Sequence, residues 1–374
     1  MTDVFVRLTP DYDGERLYRA VSEFFERTGA QKDILPGARV LLKPNLLSAH
    51  RPEACVTTRP ELVSAVLRRL DELGVKDAAV ADSPGGPYLK ANLKSIYSAC
   101  GYLRPELEPR LNYDLSYRGV HSALECGVPI FNIISPVLDA DFVIDLAKLK
   151  THSMTTVSAS VKNLFGVTPG LQKAGLHRRF PDVSAFCRML CALAVTVKPY
   201  MAILDAVDSM EGNGPNGGTP KHTGLLLASR DLFALDSEAV RFTGIPAAKV
   251  PLLTEAEKLG LLGPQPRLSG DPLVPCDPPF VLPDTIRSTT FADSIPAPVR
   301  RLSTAVVDRA TRSYPRVDRS VCVGCGKCAE SCPQHIITLR KGKASMPRRG
   351  CISCFCCQEL CPMHAISARR LLDK

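Results

Sequence analysis

The sequence predicts a layered α/β domain built on a mostly parallel sheet, then a proline-rich linker and a small cysteine-rich domain. Three observations lead there. Short apolar runs alternate with longer segments of helical periodicity through residues 1–262. Ten prolines fall between Gly263 and Pro315, Pro278-Pro279 among them, a density that forbids long helices and central strands. Nine of the 15 cysteines lie in the last 56 of 374 residues. The expected boundaries are therefore 1–262, 263–318 and 319–374.

Taken in order, Leu17, Val21, Phe24 and Phe25 recur at helical spacing within 15–30, and Gly29 supplies a stop. Residues 39–42 read as a strand running into Lys43-Pro44-Asn45. A helix follows over 58–73, with Thr58 as its cap, Pro60 in the first turn and Gly74 closing it. Residues 78–81 form a second strand, broken by Asp82-Ser83-Pro84-Gly85-Gly86. A buried strand over 142–146 ends in Ala147-Lys148-Leu149-Lys150-Thr151-His152. Helices are expected over 155–165 and 182–197, and a strand over 201–204 ends in Asp205-Ala206-Val207-Asp208. A strand over 225–228 and a helix over 231–243, stopped by Gly244, complete the pattern. One further helix is expected around 298–309 in the linker. The polar clusters all sit at strand ends, where sheets of this class gather ligands.

The cysteines carry the strongest signal. Cys322-x-x-Cys325-x-x-Cys328-x-x-x-Cys332-Pro333 recurs 29 residues later as Cys351-x-x-Cys354-x-x-Cys357-x-x-x-Cys361-Pro362. A tight loop with thiols two residues apart delivers three thiolates to one iron–sulfur cube while its amides turn towards the sulfurs. Structural zinc would use two C-x-x-C pairs per site, and two three-plus-one runs ending Cys-Pro fit iron–sulfur better. No three cysteines have the C-x-x-x-C-x-x-C spacing of S-adenosylmethionine radical chemistry. Cys356 is a ninth thiol outside the pattern, a packed neighbour or a spare ligand. The segment over 321–368 resembles the bacterial two-cluster ferredoxins, which makes the small domain a ferredoxin-like α+β domain holding two 4Fe–4S clusters. In that arrangement the fourth thiol of each run serves the other cluster. Cys322, Cys325, Cys328 and Cys361 then hold one cluster, and Cys351, Cys354, Cys357 and Cys332 the other. His335 and His364 occupy repeat-related positions three residues after each final cysteine, either as solvated residues or as proton-coupled tuners of potential.

Signals in the large domain are weaker. Lys148, Lys150 and His152 follow a strand, with Lys162-Asn163 on or near the next helix. Two lysines two apart on extended backbone face one way. They form either a site for an anionic substrate, with His152 as proton donor, or a basic surface loop. Gly212-x-Gly214-x-x-Gly217 follows a strand, but Pro215 and Pro220 deny it the helix that a dinucleotide fingerprint needs. Asp205, Asp208 and Glu211, with Asn213 and Asp82, are the candidates for an additional organic cofactor or divalent metal, the alternative being a solvated loop. No phosphate loop of the G-x-x-x-x-G-K-[ST] type occurs. Cys187 and Cys191 read as core.

Lys43-Pro44-Asn45, Asp82-Ser83-Pro84-Gly85-Gly86, Lys148-Leu149-Lys150-Thr151-His152, Val161-Lys162-Asn163-Leu164-Phe165-Gly166 and Asp205-Ala206-Val207 resemble the signatures of a prokaryotic family catalogued as domain of unknown function 362. The resemblance spans about residues 1–250, and members often carry the same C-terminal ferredoxin module. It implies a cytoplasmic iron–sulfur protein of redox role, with Lys150, His152, Lys162 and Asn163 as its candidate catalytic residues.

Two functions fit. In one, the chain is an oxidoreductase passing electrons through the clusters to a substrate or cofactor in the α/β domain. In the other, it is a non-catalytic electron carrier or adaptor that docks a partner enzyme. The partner is a small-molecule substrate or a redox protein. No run of ~20 apolar residues provides a membrane span, and the N-terminus lacks a secretory organisation. The net charge of +9 is concentrated in residues 319–374, where ten Lys/Arg face three acids. Two clusters of about −2 each would offset part of it, and no nucleic-acid-reading motif accompanies the charge.

Overall fold

The short apolar runs, buried on both faces in the central strands, build an eight-stranded sheet. The structure is a computed structural model that describes residues 2–286 and 313–369. The strands of the first part are β1 (Asp3–Leu8), β2 (Arg39–Pro44), β3 (Asp77–Val80), β4 (Tyr117–His121), β5 (Ile130–Ile134), β6 (Phe142–His152), β7 (Thr156–Ser158), β8 (Met201–Glu211), β9 (Thr219–Ser229) and β10 (Arg267–Gly270). The sheet runs β10-β1-β9-β8-β6-β2-β3, with β7 folded back on the end of β6. Four of its pairings are parallel (β1–β10, β6–β8, β2–β6, β2–β3), and β9 is antiparallel to both its neighbours. Strands β4 and β5 form a separate hairpin.

Period-2 alternation divides the core between the two faces. Val40 and Leu42 pack with Ile144 and Ile203 under the helices Gly14–Thr28 and Pro60–Glu72. Leu41 and Val143 pack with Leu204 and Leu227 under Val183–Val197 and Leu232–Thr243. Local chemistry sets these helix ends. Asp13, Asp182 and Asp231 cap N-termini by accepting from Arg16 N, Ala185 N, and Phe233 and Ala234 N. Gly29 and Gly244 close C-termini at φ 82° and 72°, a left-handed conformation that costs glycine little.

Several expectations are corrected. Thr58 does not cap its helix. Its hydroxyl donates to Leu146 O (2.6 Å) and accepts from Asn45 N (2.9 Å), tying the helix entry to β6 and the end of β2. Strands β6 and β8 run for 11 residues each, so Lys148, Lys150, His152, Asp205, Asp208 and Glu211 lie within strands instead of in the loops beyond them. Residues 155–165 do not form one helix but divide into β7, a turn of helix at Ser160–Asn163 and a 3-10 turn at Leu164–Val167. Part of the expected linker is a strand of the main sheet, β10. Residues 271–286 then run along the core, with Gly212 N donating to Val281 O (2.7 Å) and Phe280 N to Thr243 O (2.8 Å). The helix expected around 298–309 lies outside the described residues.

The small domain consists of β11 (Tyr314–Val317), β12 (Thr338–Arg340), β13 (Lys343–Ser345), β14 (Ile366–Arg369) and the short helices Lys327–Glu330 and Cys356–Glu359. β11 pairs with β14 and β12 with β13, both antiparallel. Because β11 pairs with the last strand of this domain, the domain takes in residues before the expected boundary at 319. No helix among the described residues is long and apolar enough to cross a membrane.

Candidate functional site

The small domain packs its helix Cys356–Glu359 against the C-terminal ends of β6 and β8. The β8–β9 hairpin supplies much of the contact. Asn216 Nδ2 donates to Glu359 O (2.6 Å), and Ser153 Oγ reaches both Gly214 O (2.9 Å) and Gln358 Oε1 (3.4 Å). A Cβ on Gly214 would stand 2.1 Å from Thr151 O, so only glycine lets the hairpin lie this close to β6. The run Gly212 to Gly218 is thus a hairpin tip that seats the second domain.

Between the two domains lies a cleft. Asn45, Asp82, Ser83, Lys162, Asn163, Lys173 and His177 line it from the α/β side. Ser331, Cys356, Glu359 and Leu360 line it from the small domain. Lys162 is half-buried and makes no hydrogen bond among the described residues; burial lowers its pKa, opposed by the Glu359 carboxylate. Lys173, in contrast, is committed. Its ammonium donates to Thr168 O (2.6 Å), Ser83 Oγ (3.1 Å) and Pro84 O (3.3 Å), and burial takes it down to about 7. His177, four residues on along the same helix, stacks on Phe186 at 4.4 Å, with its Nδ1 buried and unpaired.

Behind this wall a polar network fixes the lining. The Lys43 ammonium lies 2.9 Å from Asp82 Oδ1, both side chains buried, while Leu46 N donates to Asp82 Oδ2 (2.8 Å). A Cβ on Gly166 would come within 2.1 Å of Asp82 Oδ1 and 2.8 Å of Lys43 Nζ, which explains that glycine. Asn163 Nδ2 donates to Asp145 Oδ1 (2.8 Å), and Asn163 Oδ1 accepts from Asn45 Nδ2 (2.9 Å). Asp236 holds the short helix by accepting from Ser160 N (2.8 Å) and Val161 N (3.0 Å).

Asp145 is fully buried, and desolvation pushes its carboxyl up to about 8 despite the Lys43 charge and the Asn163 amide. Its ordinary value is 3.8, so between about pH 4 and 8 the native state binds a proton that the unfolded chain does not. Stability from this group is full at low pH and is lost as pH rises through about 8. Lys150, depressed to about 7, acts mainly above that window, where its contribution grows with pH. Asp145→Asn should therefore make the slope of the urea midpoint against pH between 5 and 7 more positive than in the parent. There Asp236, raised to about 7, acts with the same sign as Asp145, and the imidazoles of His50, His152 and His177, held at about 4, act with the opposite sign. An unchanged slope would remove Asp145 from the pH dependence.

Of the four candidate catalytic residues, Lys162 and Asn163 face the cleft. Lys150 and His152 lie behind it. Lys150 donates to Val56 O (2.5 Å) and Asn45 Oδ1 (3.0 Å). His152 is fully buried. Its Nδ1 accepts from Met154 N (2.9 Å) and Thr155 N (3.3 Å), which leaves the proton on Nε2, 2.9 Å from Glu359 Oε1 though out of line with it. Burial holds the imidazole at about 4, hence neutral. Burial alone would raise the Glu359 carboxyl, but His152, Lys162 and His177 outweigh it and bring it to about 2.

The candidates for a second cofactor or a divalent metal are not brought together. Asp82 alone lines the cleft. Asp205 is buried and paired with Lys148 (2.9 Å) and the Tyr12 hydroxyl (2.8 Å). Asp208 pairs with His222 (2.8 Å), and Glu211 with Lys221 (2.9 Å). Asn213 exchanges hydrogen bonds with Asp284 (2.7 and 2.9 Å). Each is taken up by its own partner on or beside the β8–β9 ribbon. Among the described residues no three His, Cys, Asp or Glu side chains gather closely enough for a single metal ion.

The eight repeat thiols fall into two groups. Cys322, Cys325, Cys328 and Cys361 line one cavity, and Cys332, Cys351, Cys354 and Cys357 another. Main-chain amides point at the sulfurs, as a cluster's charge requires: Ala344 N to Cys322 Sγ (3.5 Å), Ser353 N to Cys351 Sγ (3.4 Å) and Ala365 N to Cys361 Sγ (3.3 Å). The repeat extends to the backbone. Gly324 and Gly326 at φ 71° and 81° correspond to Ser353 and Phe355 at φ 56° and 60°, and His335 to His364 at φ 51° and 50°. The second run thus reproduces left-handed turns without glycine, at a cost of roughly 1–2 kcal/mol per residue. Both histidines are exposed.

Residues missed from sequence are Lys173, His177, Asn45, Ser83 and Glu359. Lys173 and His177 carried a usable signal, since a spacing of four puts both on one helix face. Asn45 and Ser83 lay in quoted motifs without a role.

Comparison with known proteins agrees with this architecture. A family model described as "Domain of unknown function (DUF362)" matches residues 40–241, and one described as "4Fe-4S dicluster domain" matches 314–362. A thylakoid-associated protein of Synechocystis is 37% identical over 255 residues, 67% of this chain and 77% of that protein. The lactate racemase apoprotein of Thermoanaerobacterium thermosaccharolyticum aligns with a TM-score of 0.42 at 11% identity, over 64% of this chain and 56% of that one. A Thermotoga maritima protein gives a TM-score of 0.31 at 11% identity, over 51% and 50%. The chain thus spans about half the length of either solved structure. From its match over residues 40–241, this chain belongs to the DUF362 family, and it carries a 4Fe-4S dicluster domain at residues 314–362.

Proposed function

We propose that the chain is an iron–sulfur oxidoreductase that delivers electrons to a small anionic substrate or organic cofactor in the interdomain cleft. Two 4Fe–4S clusters would be held by Cys322, Cys325, Cys328 and Cys361, and by Cys351, Cys354, Cys357 and Cys332. One observation carries the reading: the cleft and the second thiol cavity share their walls. Cys356 and Glu359 face the cleft while Cys357 on the same turn faces the cavity, and Ser331 faces the cleft beside Cys332. When bound, such clusters supply electrons one at a time.

The chain's own residues supply the rest. Lys162 offers a free, partly desolvated ammonium to the charge of the bound molecule, and Asn163 is held rigid beside it by Asp145 and Asn45. Lys150 positions Asn45, and His152 positions Glu359. Leu47, Phe165, Leu171 and Leu360 give the cleft an apolar share that excludes water.

Anaerobic reconstitution with iron and sulfide, followed by a screen of small carboxylates and phosphorylated compounds for reductant-dependent conversion, tests the proposal. Turnover with full cluster content is the expected result. A cluster-loaded protein that converts nothing and retains no small molecule, yet captures one stoichiometric redox protein, would make it a carrier.

A further inference from the structure

The small domain bears a second feature that the cleft chemistry does not use. Arg316, Arg319, Arg348 and Arg369 surround a groove of about 800 Å³, with Tyr314 and Met346 in its lining. All four arginines are exposed. Among the described residues Arg319 reaches the Arg340 carbonyl (3.3 Å) and Arg348 lies 5.8 Å from the Tyr314 ring centre, but no carboxylate pairs with any of the four. The neighbouring acid, Asp318, accepts from Ser320 N (2.9 Å) and Ser320 Oγ (2.5 Å). Four guanidinium groups around one recess, with no carboxylate beside them among the described residues, repel one another. Such a patch attracts a complementary acidic surface and speeds its encounter.

The position of the groove is what gives it meaning. Pro315 and Met346 line both the groove and the cavity of Cys332, Cys351, Cys354 and Cys357. Val317 and Ala344 line both the groove and the cavity of Cys322, Cys325, Cys328 and Cys361. A molecule seated there is separated from either thiol set by a single layer of side chains. The groove is built on β11, β13 and β14, whereas the cleft wall comes from the two short helices. One part of the domain therefore faces outward for exchange while another faces the bound molecule.

We infer that this arginine groove is the docking surface for an acidic one-electron carrier protein, and that it is the port through which electrons enter the chain. The inference rests on the cluster-holding part of the proposal above and not on the chemistry in the cleft. Each docking removes one electron from the reduced carrier and adds one to the small domain, so two dockings supply a two-electron reduction. Arginine suits this partner because its planar fork binds carboxylates in pairs. A recess with an aromatic floor suits protruding acidic side chains better than a flat lipid surface.

The test uses the cluster-loaded full chain and a small acidic [2Fe–2S] ferredoxin as probe. Calorimetric binding should weaken at least ~10-fold between 20 and 200 mM salt, as screening shortens electrostatic reach. Arg316→Glu with Arg348→Glu should weaken it by a further ~10-fold or more at low salt. The variant should also slow cluster bleaching by the reduced probe to the same degree and leave bleaching by dithionite unchanged. Arg19→Glu with Lys32→Glu, which changes net charge equally on the far domain, should bind as the parent does. Equal loss in that control, or binding to phosphatidylglycerol vesicles but not to the probe, would overturn the inference. Failure of dithionite to bleach the parent would instead count against the clusters.

Discussion

Replacing Lys162 by methionine is expected to lower kcat/KM for reductant-dependent turnover by at least ~100-fold, a loss of about 2.7 kcal/mol in transition-state stabilisation. The magnitude follows from the position of the ammonium. Lys162 is the cleft cation with no hydrogen bond among the described residues, since Lys173 is spent on Thr168, Ser83 and Pro84 and Lys43 on Asp82. A preorganised donor at a partly dry site is worth ~10²–10³ in rate, far more than a solvated charge. Methionine keeps the stem and its packing, so cluster content and bleaching by dithionite should match the parent. Lys162→Arg should recover part of the rate, which a purely structural role would not require. The pH profile adds a second readout. Burial lowers the Lys162 pKa, so activity should fall on the alkaline side before the ordinary lysine range is reached. That limb should vanish in the methionine variant. Turnover unchanged by the substitution would remove Lys162 from the mechanism.

His152→Ala separates positioning from contact. The imidazole does not line the cleft, and it acts through Glu359 at 2.9 Å. Its loss should therefore cost less than that of Lys162 and fall mostly on KM. The distinction was invisible in the sequence, where Lys150, His152 and Lys162 look alike as polar groups after a strand.

The reason they look alike is physical. Local signals were legible because they are local: Asp231 before a helical run, Gly244 after it, and the short apolar run Val40-Leu41-Leu42. Polar residues inside β6 and β8 read as loop because free lysines and aspartates are costly to bury. In the fold the cost is offset across strands. Lys148 registers opposite Asp205 and pairs with it, 57 positions apart in the chain. No window on one segment can show that partner. The same holds for Glu359, a residue between two of the repeat cysteines that becomes the far wall of a cleft lined by the α/β domain. Residues 155–165 failed differently. Their apolar spacing suits a helix, but β7 pairs with the end of β6 and the rest is held by Asp236 from a distant helix. What could be read was the set of motif residues; which of them meet was decided by long-range pairing.

The largest expected loss of stability comes from splitting the Lys43–Asp82 pair. Both side chains are essentially inaccessible, and the ammonium–carboxylate distance is 2.9 Å. Removing one member of a buried pair leaves an uncompensated charge and costs about 3–5 kcal/mol. Lys43→Met strands Asp82 among the Leu46 amide and the cleft; Asp82→Asn strands Lys43 beside Pro44 O. Either should lower Tm by roughly 10 °C at 2–4 °C per kcal/mol. Gly166→Ala should reproduce much of the loss without touching either charge, because its Cβ would enter the space of Asp82 Oδ1 and Lys43 Nζ. The double variant Lys43→Met with Asp82→Asn decides the cause. If charge burial dominates, the double variant recovers part of the single losses, a coupling of about 1–3 kcal/mol in a double-mutant cycle. If the two losses simply add, the pair contributes through packing and not through electrostatics. Function should separate from stability here too. Asp82 lines the cleft and Lys43 does not, so at a temperature where both single variants are folded only Asp82→Asn should change ligand binding as well as Tm.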